Sequence, residues 1–194
     1  MINRTIFYVT FIFRNKLVVT PDPTGVIEKM CLDGIFADWT IVSEEGERFP
    51  CHRAILAAKS STMKAMFTTE MREKEEKEIM IHHNNHVVEA FVNYFYEGAV
   101  PQMVLGANLS SFLALSELYN LLPLKSQAED LAIRNLTIEN VVEMFSLANI
   151  YKAEILLEAT KVFILEKKKI LGQQDLSQIP KGVMEELFIL LSQS

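Results

Sequence analysis

The chain is short of the residues on which most enzymes and most extracellular scaffolds depend. Among 194 residues there are seven glycines, and none sits in a phosphate-cradling loop or a Gly-x-Ser-x-Gly elbow. No clustered acid pair accompanies a candidate nucleophile, so an enzymatic reading has no residues to stand on. Two cysteines, Cys31 and Cys51, are too few for a disulfide framework, which points to a reducing compartment, nucleus or cytoplasm. Positive charge is also scarce. Nineteen Lys and Arg stand against twenty-five Asp and Glu, a net charge of -6. Nucleic-acid affinity comes largely from Lys and Arg neutralising phosphates, so a DNA or RNA partner is not expected. No apolar run approaches the roughly 20 residues that cross a bilayer; the eight residues 6–13, IFYVTFIF, are too short. Arg14 and Lys16 follow that run with no small-residue cleavage site, and its β-branched and aromatic content suits a strand better than a signal peptide.

What is present is a globular composition, 49% hydrophobic with a mean hydropathy of +0.16, enough to bury a core. Residues 36–61, FADWTIVSEEGERFPCHRAILAAKSS, carry the most information. Trp39, Ile41 and Phe49 follow a period near two around a Glu45-Gly46 turn, which predicts a hairpin. After Pro50, Ala54, Ile55, Leu56 and Ala58 recur at helical spacing. A polar break at Ser60-Ser61-Thr62 separates them from Met63, Met66 and Phe67, so two short helices are expected. Glu78-Ile79-Met80-Ile81 reads as a third strand. Asn84-Asn85 is placed to cap a helix with Val87, Val88, Phe91, Val92 and Phe95 on its inner face and Gly98 just past its end. Phe112, Leu113, Leu115, Leu118 and Tyr119 mark a further helix, and another runs from Leu124 to about Leu136. From Thr137, taken as a cap, two amphipathic helices follow in tandem. The first buries Ile138, Val141, Val142, Phe145 and Ala148; the second buries Ile155, Leu156, Ala159, Val162 and Phe163. Lys167 to Lys169 suit the dipole at its end, and a last helix is expected over 182–191.

The Phe36-x-Asp38 entry, the run from His52 to Ser60 and Ala65-Met66-Phe67, in this strand-strand-helix-helix order, resemble the BTB/POZ domain family. Phe91, Tyr94 to Tyr96 and Gly98 extend the match. LTIENVVEMFSLANIYKAEILLEATKVFI resembles the start of a BACK domain. The nearest resemblance is to speckle-type POZ adaptors, whose MATH domain reads the substrate. The resemblance implies an α+β chain: residues 1–25 as a possible remnant strand of a MATH domain, 26–136 as a BTB/POZ domain with a three-stranded sheet under a helical cluster, and 137–194 as a BACK-like helical extension.

It also implies function. These adaptors homodimerise and bridge substrates to cullin-3 for ubiquitination, without cofactor, metal or catalytic residue. A hydrophobic-x-Glu motif after the second short helix contacts cullin-3, and Met71-Arg72-Glu73 stands there. Tyr119, Asn120 and Leu122 are expected beside it, with residues 149–152 extending the surface. An apolar plug with an adjacent carboxylate suits such a groove. Arg72, His82-His83-Asn84-Asn85 and Ser116-Glu117 depart from the family's pattern. The alternative is a dimerising scaffold, or a competitor of related MATH-BTB proteins, that binds no cullin.

For the dimer, Val26, Ile27, Met30 and Leu32 carry the spacing of the family's N-terminal helix. Asp38 and Arg53 match its charged pair at the floor of the dimer groove, or else form an ordinary ion pair. His52 is expected to be a buried, hydrogen-bonded core histidine. His82, His83 and His86 with Cys31 or Cys51 make a poor zinc site, because the histidines straddle a strand end and no Cys-x-x-Cys accompanies them.

Overall fold

The computed structural model describes residues 34–68 and 77–171, together with residues 185 and 189. The expected N-terminal strand, most of the expected final helix, residues 26–32 and the motif at 71–73 lie outside the described residues.

The hairpin forms as its alternation requires. Strand β1 (Trp39–Ser43) pairs antiparallel with β2 (Arg48–Cys51), Ile41 facing Phe49. Gly46 sits in the turn at φ 86°, a left-handed conformation that glycine takes without strain, and its N–H donates to the Ser43 carbonyl at 3.0 Å. Strand β3 (Glu78–Ile81) lies on the other side of β1 and runs parallel to it, giving the order β2-β1-β3. A parallel neighbour demands a crossover. Helices α1 (Arg53–Lys59) and α2 (Ser61–Thr68) lie in that connection, separated at Ser60 by one residue of extended backbone.

Helix α3 (Asn85–Glu97) covers the sheet. Asn84 Oδ1 accepts from the Val87 N–H at 3.0 Å, and Gly98 closes the helix in the left-handed region at φ 82°. Val87, Val88, Phe91, Val92 and Phe95 are all buried, as their spacing predicts. Beyond it lie α4 (Gln102–Ala107), α5 (Leu109–Leu118) and α6 (Leu122–Arg134). Helix α4 has no counterpart in the sequence reading. At six residues with an internal Gly106 it is too short to display a period. Leu118, one of the apolar residues that mark α5, is 63% exposed.

A hairpin of α7 (Val141–Ile150) and α8 (Glu154–Leu171) follows. Thr137 does not cap it: the Asn140 side chain accepts from the Thr137 N–H at 2.8 Å and donates to the Asn135 carbonyl, forming a turn that delays the helix to Val141. The inner face of α8 is also rotated from expectation. Leu156, Thr160 and Ile164 are fully buried, whereas Ile155 and Val162 face outward. Thr160 hides within an apolar face because its hydroxyl donates to the Leu157 carbonyl at 2.8 Å. Met144, Ala148, Ala153 and Leu156 join the same buried cluster as Trp39, Phe91 and Leu124, so the hairpin shares the main core. The architecture is α+β, a small three-stranded sheet under a helical layer with a helical extension, in agreement with the sequence reading.

Candidate protein-interaction surface

Three segments far apart in sequence meet at one end of the helical layer. The first is the start of α2. The Ser60 hydroxyl accepts from the Met63 N–H at 3.0 Å, capping α2, and donates to the Tyr119 carbonyl at 2.6 Å. The second is the α5–α6 turn, where Asn120 Nδ2 donates to Ser61 Oγ at 2.8 Å. The third is the α7–α8 turn, where Lys152 Nζ lies 3.4 Å from Glu117 Oε1.

Both turns reverse the chain in the same way. Asn120 and Lys152 each take φ 50°, and the residue after each donates back five positions: Leu121 N–H to the Ser116 carbonyl and Ala153 N–H to the Ala148 carbonyl, both at 2.8 Å. These are the closing bonds of a helix C-terminus that turns through a left-handed residue. Asparagine tolerates that conformation; lysine at Lys152 carries a steric cost of roughly 1 kcal/mol.

The α5–α6 turn presents Leu118 and Leu122, 63% and 66% exposed, on either side of a buried Leu121. Tyr119 does not join them. Its ring packs against Phe91 with centroids 5.3 Å apart, and burial pushes its phenol up to about 12. It anchors the turn from inside, through its carbonyl. Glu117 is fully engaged, with Lys125 Nζ 2.7 Å from Oε2 and Lys152 on the other oxygen. The Lys125 hydrogen bond outweighs partial burial and, with the charges of Lys125 and Lys152, holds the carboxyl below the ordinary glutamate range. The surface therefore combines exposed leucines with a neutralised acid. Nothing in the helical periodicity distinguishes Leu118 from an inner residue.

At the sheet end, Asp38 accepts from both the Arg53 N–H and Arg53 Nε at 2.9 Å, so it caps α1 and forms an ion pair within the chain. Burial opposes the charge, and the Arg53 amide and guanidinium more than offset it, leaving the carboxyl below its ordinary value. His52 is buried. Its Nε2–H donates to the Ile35 carbonyl at 2.8 Å, which leaves Nδ1 to accept from the Tyr96 hydroxyl at 2.9 Å. The expected structural role of His52 matches this arrangement. Beside it, Ile35 is 54% exposed and Phe36 89% exposed, Phe36 at φ 62°. His82 and His86 stand four residues apart, but only His86 lies in α3. Among the described residues no group of three His, Cys, Asp or Glu side chains is placed to hold a metal ion. No described helix is long and apolar enough to cross a membrane. Val26, Ile27, Met30, Leu32, Met71 and Glu73 are not among the described residues.

A family model described as BTB/POZ domain matches residues 27–136. Kelch-like protein 23 of Homo sapiens is 34% identical over 163 residues, 82% of this chain and 28% of that protein. Kelch repeat and BTB domain-containing protein 3 of Mus musculus is 27% identical over 164 residues, covering 84% of this chain and 26% of the relative. TD and POZ domain-containing protein 1 of Mus musculus is 34% identical over 110 residues, 56% of this chain and 30% of the relative. The solved BTB domain of zebrafish PATZ1 aligns with a TM-score of 0.48 at 18% identity, over 57% of this chain and 87% of that chain. The chain thus spans under a third of the length of these curated relatives. Both Kelch-like and TD and POZ proteins match, so the similarity does not single out the speckle-type branch expected above.

Proposed function

The chain belongs to the BTB/POZ domain family, and from that premise we propose that it is a non-enzymatic protein-interaction adaptor that homodimerises and binds cullin-3, promoting ubiquitination of a substrate. The observation that carries this reading is the surface where Ser60, Ser61 and Asn120 link the start of α2 to the α5–α6 turn beside exposed Leu118 and Leu122. Apolar side chains held in a rigid, hydrogen-bonded turn suit a partner groove, because little entropy is lost when they dock. Met71 and Glu73, C-terminal to α2, are assigned the plug and its orienting carboxylate. Residues 149–152 are assigned to the same surface, and 137–194 to a BACK-like extension. Self-association is assigned to Val26, Ile27, Met30 and Leu32 with Asp38 and Arg53; the exposed apolar pair Ile35 and Phe36 follows that segment in sequence and supports the assignment.

Met71→Asp is expected to abolish binding to the N-terminal domain of cullin-3 in calorimetry while the dimer persists; unchanged binding would overturn the site assignment. Ile27→Asp with Met30→Asp is expected to give monomers by light scattering. One observation favours a second reading, a dimerising scaffold or competitor of MATH-BTB proteins that binds no cullin: both oxygens of Glu117 are taken by Lys125 and Lys152, leaving that acid little capacity for a partner.

A further inference from the structure

Helix α8 lacks a capping residue of its own. The residue before it is Ala153, where Ser, Thr, Asp or Asn would ordinarily accept from the first-turn amides. The acceptor comes instead from α6. Glu129 Oε1 receives the Ile155 N–H at 3.0 Å and the Leu156 N–H at 3.3 Å, across 26 and 27 residues of sequence. Glu129 is 4% exposed, an uncommon position for a carboxylate, which is seldom buried without partners. Its partners are those amides and the charge of Lys125 one turn earlier on α6, opposed by neighbouring Asp130. Lys125 in turn holds Glu117, and Glu117 holds Lys152. A chain of charges therefore runs from the N-terminus of α8 through α6 to the α7–α8 turn.

We propose that Glu129 is the positioning residue of the helical hairpin: by capping α8 from α6 it fixes the hairpin on the BTB fold, and with Glu117 it sets where the Lys152 turn stands at the edge of the interaction surface. Hydrophobic contact alone fixes a helix loosely about its axis, since burial is non-directional. Two hydrogen bonds accepted by a single buried oxygen define both the depth and the rotation of the first turn. This device explains why Leu156 and Thr160 face inward while Ile155, equally apolar, is left at the surface.

The test is amide hydrogen exchange on the full chain. Glu129→Ala removes the acceptor and is expected to speed exchange at Ile155 and Leu156 about tenfold, as loss of a helix cap and a buried acceptor would, with the amides of α3 unchanged. Glu129→Gln keeps an acceptor oxygen and is expected to restore wild-type protection there. Unaltered exchange in Glu129→Ala, or an equal rise in α3, would overturn the proposal. So would loss of protection in Glu129→Gln, which carries the test by itself should the alanine variant not fold. Titration with the N-terminal domain of cullin-3 reads separately. That effect rests on the function proposed above: if wild type binds, Glu129→Ala weakens binding and Glu129→Gln restores it. Equal binding by all three contradicts the link to the surface, and no binding by wild type contradicts the proposed function while the exchange result still decides the clamp.

Discussion

The Ser60 hydroxyl donates to the Tyr119 carbonyl at 2.6 Å across 59 residues, joining the start of α2 to the turn that ends α5. The same oxygen caps α2 through the Met63 N–H. Ser60 is 1% exposed, so water does not substitute for either bond. Ser60→Ala is expected to lower the unfolding free energy by about 2 kcal/mol, from the lost cap and the orphaned carbonyl. Urea denaturation at neutral pH measures it; a change within about 0.5 kcal/mol, typical of surface substitutions, would contradict the role of this bond.

Glu117 and Glu129 are expected to titrate with opposite effects. The folded-state value of Glu117 lies below the ordinary 4.5 through its Lys125 hydrogen bond, so its contribution is present above 4.5 and is lost as pH falls through the lowered value. Burial raises Glu129, so its contribution is present below 4.5 and is lost as pH rises through the raised value. Unfolding free energies measured across this range should show a shallower acid loss in Glu117→Gln and a steeper one in Glu129→Gln. Parallel profiles for both variants and wild type would refute these assignments.

Leu118→Asp with Leu122→Asp tests the turn as a docking element. Both side chains are largely exposed, so stability should change by less than about 1 kcal/mol. Affinity for the N-terminal domain of cullin-3 should fall at least about tenfold, as for a central apolar anchor. Wild-type affinity in the double variant would remove these leucines from the interface.

Elements whose periodicity has a single reading were legible in the sequence. Strand β3 occupies Glu78–Ile81 as expected, and α3 is framed by Asn84 and Gly98, each with its own capping chemistry. Elsewhere tertiary contacts decided. Helix α4 is too short for periodicity, and Asn140 bonds locally in a way that displaces the expected cap at Thr137. Helix α8 has apolar residues on two faces, and the choice between them rests on Glu129, which is distant in sequence. The candidate surface was legible only as segments. That Asn120 meets Ser61, and Glu117 meets Lys152, follows from the packing of α2, α5 and the hairpin; no spacing reports it.

Whether this chain is a dimeric adaptor for cullin-3 is decided by the mass of the purified chain mixed with the N-terminal domain of cullin-3, measured by size-exclusion chromatography with light scattering. A two-to-two complex is expected. A dimer of this chain that elutes free of cullin-3 would contradict it and establish the scaffold reading in its place.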